Sequence, residues 1–235
     1  MVVIQNRDQE ILRLCYEHQF LLVQHLEDFL FKGKSRRRVY ERIQELEQAG
    51  LLQKERVLAC NRQKLIRLTR SGIKYVEGSF LARIPQFKRP SLETLIHDAM
   101  VTSVRLRLRE FWDGSWLPEG LLKKKEYPHI PDGIVLFSSG KRIAIEVENS
   151  LKGKSRFIKL LEQWANGSST PVSMVLYVAT TPTLQKLIRG YLEEAHQKGI
   201  QKPIFGLVLW ETLRTEAPRP FSAHGELELF SRRSF

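Results

Sequence analysis

Apolar positions recur along this chain first with a helical period and later with a period of two, and that change divides it. Over 8–18 the apolar residues Ile11, Leu12, Leu14 and Cys15 fall at helical spacing, and over 21–31 Leu22, Leu26, Phe29 and Leu30 repeat the pattern. A third helix is expected over 36–49. Its Val39, Ile43 and Leu46 form an i, i+4, i+7 stripe, Ser35 is placed to cap its start, and Gly50 to close its end. Turning 100° per residue from that stripe sends Arg37, Arg38, Glu41 and Gln44 outward. Two strands are then expected at 54–59 and 64–69, joined through Asn61, Arg62 and Gln63, followed by a helix starting near Ser71.

Between Arg83 and Pro90 the periodicity stops, and Pro85, Lys88, Arg89 and Pro90 make a short basic connector. The expected organisation is therefore a first domain over 1–82, a linker over 83–90, a second domain over 91–215 and a tail over 216–235. In the second domain Ser91 can cap a helix over 91–111, with Glu93 in its first turn. Strands are expected at 116–122, 132–137, 143–148, 173–179 and 203–210, with helices at 155–166 and 182–197. That order, α-β-β-β-α-β-α-β, makes the fold class mixed α/β (α+β), with three meandering strands continued through helical crossovers. In the tail, Leu227, Leu229 and Phe230 are expected to dock as a short strand.

The chemistry concentrates in the period-two part. In Ile143-Ala144-Ile145-Glu146-Val147-Glu148, alternation puts Ala144, Glu146 and Glu148 on one face of a strand and the branched residues on the other. Ser138-Ser139-Gly140-Lys141 is turn chemistry, so the run from Asp132 to Phe137 folds back and brings Asp132 beside Glu146. Three carboxylates on two adjacent strands can hold Mg²⁺ or Mn²⁺, ions that prefer oxygen ligands. The alternative is that Glu146 and Glu148 lie on the wet face of an edge strand. Bulky β-branched neighbours on both strands favour a central position. Tyr127, just upstream, is close enough in sequence to be a covalent nucleophile, or else packs its ring.

Charge narrows the partners. The chain has 38 Lys and Arg against 26 Asp and Glu, a formal charge of +12, which suits a polyanion such as double-stranded DNA. No apolar run approaches the roughly 20 residues of a spanning helix, and the first residues carry no signal-peptide pattern, so no membrane partner and a cytoplasmic location are expected. Cys15 and Cys60 have no metal-ligand spacing and read as reduced thiols.

Three helices followed by a basic hairpin bearing Arg56, Arg62, Lys64 and Arg67 give the order of a winged helix-turn-helix, and Ile66-Arg67-Leu68-Thr69-Arg70-Ser71-Gly72 resembles the wing exit of many bacterial winged-helix proteins. That resemblance implies that Arg37, Arg38 and Gln44 contact bases or phosphates. Lys32, Lys34, Arg36, Arg42 and Arg62 would meet mainly phosphates, and Lys64 on the wing is a further DNA-binding candidate. A winged helix that binds protein or dimerises is the other reading, and Glu41 and Glu45 on the same face keep it open.

The second domain resembles the PD-(D/E)xK phosphodiesterase fold of restriction-endonuclease-like nucleases. Pro131-Asp132 and Glu146 match its acids, and Glu148 stands where its lysine usually does. The resemblance implies catalytic candidates Asp132, Glu146 and Glu148, the same three as metal ligands, and Lys154 or Lys159 as a displaced lysine. Together with Leu95-Ile96-His97-Asp98, the domain order is similar to the replication-relaxation family of mobile elements, which includes MobC-type mobilisation proteins. His97 would be the family's helix histidine, or else a packed one. The implied function is a metal-dependent DNA nickase or endonuclease in plasmid mobilisation or replication initiation. The alternative is a non-catalytic DNA-binding regulator with a degenerate nuclease-like domain. A homodimer and other mobilisation or replication proteins are the protein partners left open.

Overall fold

The computed structural model describes residues 2–56, 64–78, 84, 94–122, 127, 129–150, 153–167, 171–222 and 225–226. The architecture is α+β, with helices accompanying two sheets. The chain divides into two compact units, Met1–Ser103 and Val104–Phe235. That division falls inside a helix, whereas of the expected linker 83–90 only Ile84 is described. Leu95 and Ala99 explain the position: both are buried with Phe20, Leu22 and Leu65 in the core of the first unit.

In the N-terminal unit, α1 (Asn6–His18) buries Ile11, Leu12, Leu14 and Cys15 completely, the positions its periodicity marks. The expected helix over 21–31 departs from prediction at its start. Leu21–Leu22 is instead a strand, β1, antiparallel to β3 (Lys64–Leu68) through Leu21↔Ile66 and Leu22↔Leu65. The edge of β3 supplies backbone partners from more than forty residues away, and periodicity carries no sign of them. Helix α2 (Val23–His25) follows and runs into a π turn, Leu26–Leu30. Helix α3 (Arg36–Gln48) is capped by Ser35, whose Oγ accepts from the Arg38 N–H, and Gly50 leaves it at φ +71°. Strand β2 (Leu52–Arg56) completes an antiparallel sheet in the order β1-β3-β2, and α4 (Arg70–Glu77) starts at Thr69, whose Oγ accepts from the Gly72 N–H. Cys15 is a buried thiol whose pKa is pushed far up by burial, while Cys60 lies outside the described residues.

Helix α5 (Leu95–Leu108) leads to β4 (Gly114–Pro118), shorter than expected because the chain turns into a 3₁₀ turn at Glu119–Leu121 after Pro118. Then come β5 (Gly133–Phe137), β6 (Arg142–Glu148), α6 (Lys154–Asn166), β7 (Met174–Ala179), α7 (Pro182–Gln197) and β8 (Ile204–Leu209). A helix α8 (Trp210–Thr215) and two short strands, β9 (Phe221–Ser222) and β10 (Gly225–Glu226), follow; the sequence pattern does not suggest them. The predicted tail strand at Leu227, Leu229 and Phe230 lies outside the described residues.

Among the described residues these strands form one sheet in the order β10-β9-β8-β7-β6-β5-β4. β4, β5 and β6 are antiparallel neighbours, whereas β6, β7 and β8 run parallel, with α6 and α7 as crossovers. Central strand β6 is buried along almost its whole length, with Ala144, Val175, Tyr177, Ala179 and Leu207 on the face that packs against Phe157, Leu161 and Trp164 of α6 and Ile188 and Leu192 of α7. No helix among the described residues is long and apolar enough to cross a membrane.

Candidate active site

Strand β6 carries Glu146 and Glu148 to the helix-covered face because they alternate with Ala144, as the period of two predicts. Each is only 3% exposed, which makes this a central strand and not a solvated edge. Two carboxylates in one dry layer are costly: the effective penalty for burying an ion is several kcal/mol before compensation. Asp132 lies one position beyond the pair Gly133↔Ile145, opposite Glu146, and its Oδ2 accepts the Val147 N–H at 2.7 Å. The side chain thereby extends the β5–β6 ladder by one bond. Glycine follows it for a spatial reason, since a Cβ at Gly133 would overlap the indole of Trp116.

The expected closure of three carboxylates on one cation is not the arrangement found. Among the described residues no three His, Cys, Asp or Glu side chains are grouped to hold a metal ion. The hydrogen bond to the β6 backbone ties Asp132 to the ladder, and a histidine that the motif does not include stands beside Glu146. His129 places Nε2 3.2 Å from Glu146 Oε1. Tyr177 stands opposite Glu146 in the β6–β7 register and is wholly buried. Burial, and then the charges of Glu146 and Glu148, push its phenol well above the ordinary tyrosine pKa, so it keeps its proton. Neither residue is marked by the motif. His129 lies three residues before Asp132 in a proline-flanked segment, a weak local signal, and the alignment of Tyr177 with Glu146 depends on the register of a parallel crossover.

The lysine candidates do not join the acids. Lys154 Nζ is 2.6 Å from Glu194 Oε2 on α7, and this partner raises its pKa. Lys159 is exposed on α6. Tyr127 is buried in the apolar cluster, and His97 is a half-buried neighbour of Asp98, with Nδ1 3.5 Å from Oδ1. Glu93 lies outside the described residues.

In the N-terminal unit the run from Lys32 to Arg38 is exposed throughout and brings five cations to the start of α3. Arg37 and Arg38 share Glu41 at 2.7 and 3.8 Å, and Arg36 meets Glu27 at 2.9 Å. Such exposed pairs are worth about 0–1 kcal/mol and exchange readily for phosphate. Gln44 is exposed on the same helix, and Lys64 Nζ lies 4.4 Å from the centre of the Tyr40 ring. Arg42 corrects the expectation of a phosphate contact. Its guanidinium closes on the fully buried Asp8, with Nε 2.8 Å from Oδ1, and also meets Glu45. Arg67 is likewise buried, 3.2 Å from Glu55. Arg62 lies outside the described residues.

No family model, curated protein or solved structure matches the chain.

Proposed function

We propose that the protein is a DNA-binding factor of a mobile genetic element, of the replication-relaxation type. In this reading the N-terminal unit is a winged helix that grips duplex DNA. The C-terminal unit is a restriction-endonuclease-like domain that nicks or cleaves it with Mg²⁺ or Mn²⁺, in the cytoplasm, during plasmid mobilisation or replication initiation. The single observation that carries the reading is the burial of Glu146 and Glu148 together on one face of the central strand, a costly placement for two carboxylates and a frequent one at functional sites. Helix-strand-helix-helix-strand-strand order and the exposed cations from Lys32 to Arg38 support the DNA-binding half.

The donors suit such an ion in kind. Magnesium takes one or two carboxylates and completes its shell with water and phosphate oxygens, so fewer than three grouped protein ligands is a usual arrangement. A bound divalent ion would supply Lewis-acid polarisation of the phosphodiester and an acidified water. Glu146 and Glu148 offer the oxygens, Asp132 fixes the backbone from which Glu146 projects, and Tyr177 presents a retained proton at its hydroxyl. Lys32, Lys34, Arg36, Arg37 and Arg38 would hold phosphates at the start of α3.

A second reading, a regulator whose nuclease-like domain does not cut, is favoured by Glu148 at the usual lysine position and by the engagement of Lys154 with Glu194. One experiment separates the two. Supercoiled plasmid is incubated with the protein and Mg²⁺ or Mn²⁺, beside an Asp132→Ala/Glu146→Ala variant. Metal-dependent nicking that the variant lacks is expected. Salt-sensitive binding without nicking would overturn the nuclease reading and leave the regulator.

A further inference from the structure

His129 belongs to none of the motifs legible in the chain, yet its side chain reaches Glu146. It lies in the segment leading into β5, and its ring stands edge-on to Trp164 of α6, with centroids 6.4 Å apart at 86°. Trp164 is itself buried, so the imidazole has a wall on one side. Its side chain is 35% exposed while that of Glu146 is 4% exposed. The pair therefore joins a partly exposed imidazole to a buried carboxylate oxygen, an entrance and an anchor for a small ion.

Their separation matches a coordination edge. Two ligand atoms at adjacent corners of an octahedron with bonds near 2.1 Å stand about 3 Å apart, and Nε2 and Oε1 stand 3.2 Å apart. The hydroxyl of Tyr177 is an independent sign. It is wholly buried, on the same face and in register with Glu146, and has no hydrogen-bond partner among the described residues. Buried hydroxyls are seldom left unsatisfied, and a water in an ion's shell would accept this proton.

The geometry points to a mixed nitrogen–oxygen cation site in which His129 Nε2 and Glu146 Oε1 are adjacent ligands, selecting Mn²⁺ over Mg²⁺. Water and phosphate oxygens fill the remaining corners. The preference follows from the nitrogen: carboxylate and water oxygens suit Mg²⁺ and Mn²⁺ alike, whereas imidazole suits the later first-row ions, so an added imidazole favours Mn²⁺, the first of that affinity series, over Mg²⁺. This assignment rests on the reading of the acid face as a divalent-cation site and narrows it to an ion class and a ligand that the acidic motif lacks.

The test is direct binding to the full chain. Mn²⁺ is followed by the paramagnetic resonance signal of the free ion and Mg²⁺ by competition, for the unaltered protein, His129→Ala and His129→Gln. The unaltered protein should hold Mn²⁺ about tenfold or more tighter than Mg²⁺. Both variants should lose about tenfold or more in Mn²⁺ affinity while changing little toward Mg²⁺, so that the selectivity collapses. His129→Gln keeps a polar side chain against Trp164 and decides the matter if His129→Ala fails to fold. Equal affinities in the unaltered protein, or an unchanged ratio in His129→Gln, would overturn the assignment. The two claims fail separately: nicking supported equally by both ions, with Mn²⁺ affinity unmoved by His129→Gln, keeps the nuclease and removes this site. Histidine-dependent Mn²⁺ selectivity without nicking does the reverse. Absence of any binding removes both.

Discussion

Each unit buries a carboxylate almost completely, and the two are answered in opposite ways. Asp8 in α1 is 0% exposed and meets the Arg42 guanidinium of α3 through both its oxygens, while its Oδ2 also accepts the Gln5 N–H at 2.7 Å. A planar, permanently charged fork meets a planar anion, and the charge serves to hold two helices together. Glu146 is 3% exposed and meets a half-exposed imidazole at 3.2 Å, with Glu148 adding a second anion to the same face. An arginine fork makes architecture; an imidazole beside a buried acid is, on the proposed reading, a place for a cation. The same contrast separates Arg42 from Arg37 and Arg38 on one helix: the first is locked inward, and the others face solvent with weak partners.

Removing Asp8 should have the largest effect. Asp8→Ala takes from a mostly buried guanidinium its buried partner, leaving it Glu45 and the Val3 carbonyl, and should cost about 3 kcal/mol of N-terminal-unit stability, the low end for breaking a buried pair, read as a lowered urea midpoint. A loss below about 1 kcal/mol, the range of an exposed pair, would put Asp8 in the same class as Glu146.

Acid should come next, through a third buried polar group. His25 Nδ1 accepts the Leu22 N–H at 3.3 Å, so its proton sits on Nε2, which donates to Ser103 Oγ at 3.1 Å. Protonating Nδ1 would destroy that acceptor, and burial lowers the pKa from 6.5 to about 4. Because the folded pKa lies below the unfolded one, the unfolded chain takes up the proton first. Stability is therefore full above about pH 6.5 and falls as the pH drops toward 4, by on the order of 3 kcal/mol from this group. A His25→Gln variant should flatten that part of the stability-versus-pH curve, and an unchanged slope would reassign the effect to other groups.

Glu146→Gln sharpens the comparison from the other side. It removes one of two neighbouring buried anions and keeps the shape, so stability should change by less than about 1 kcal/mol or should rise. A destabilisation as large as that of Asp8→Ala would make Glu146 a structural ion pair. The smallest stability effect should come from Arg37→Ala/Arg38→Ala, below about 0.5 kcal/mol. On the proposed DNA-binding reading, the salt dependence of duplex binding should nevertheless weaken by about two in slope, one for each phosphate that an arginine no longer neutralises. An unchanged slope would place the DNA elsewhere.

Much of this is visible in the linear pattern. Helix α7 has the bounds its composition indicates, since Thr181 caps it, its Oγ accepting from the Leu184 N–H, and Pro182 sits in the first turn. Alternation in β6 correctly assigns Glu146 and Glu148 to a common face. It misplaces Lys154, because sequence nearness to the acids says nothing about Glu194, forty residues on, which takes it. Arg42 escapes for a similar reason: a helical wheel gives angles around α3 but not the buried Asp8 on α1 that draws the guanidinium inward.

Local forces act over a few residues, so caps, turns and periodicity are enough to establish most elements and the side of the strand each acid occupies. Which groups meet across the fold comes from packing and register over tens of residues: β1 on the edge of β3, Tyr177 beside Glu146, Arg42 against Asp8, and His129 in place of a third carboxylate. Those choices are made by the satisfaction of buried charges and backbone groups in three dimensions. Short windows along the chain hold one partner of most such pairs, and the fold supplies the other.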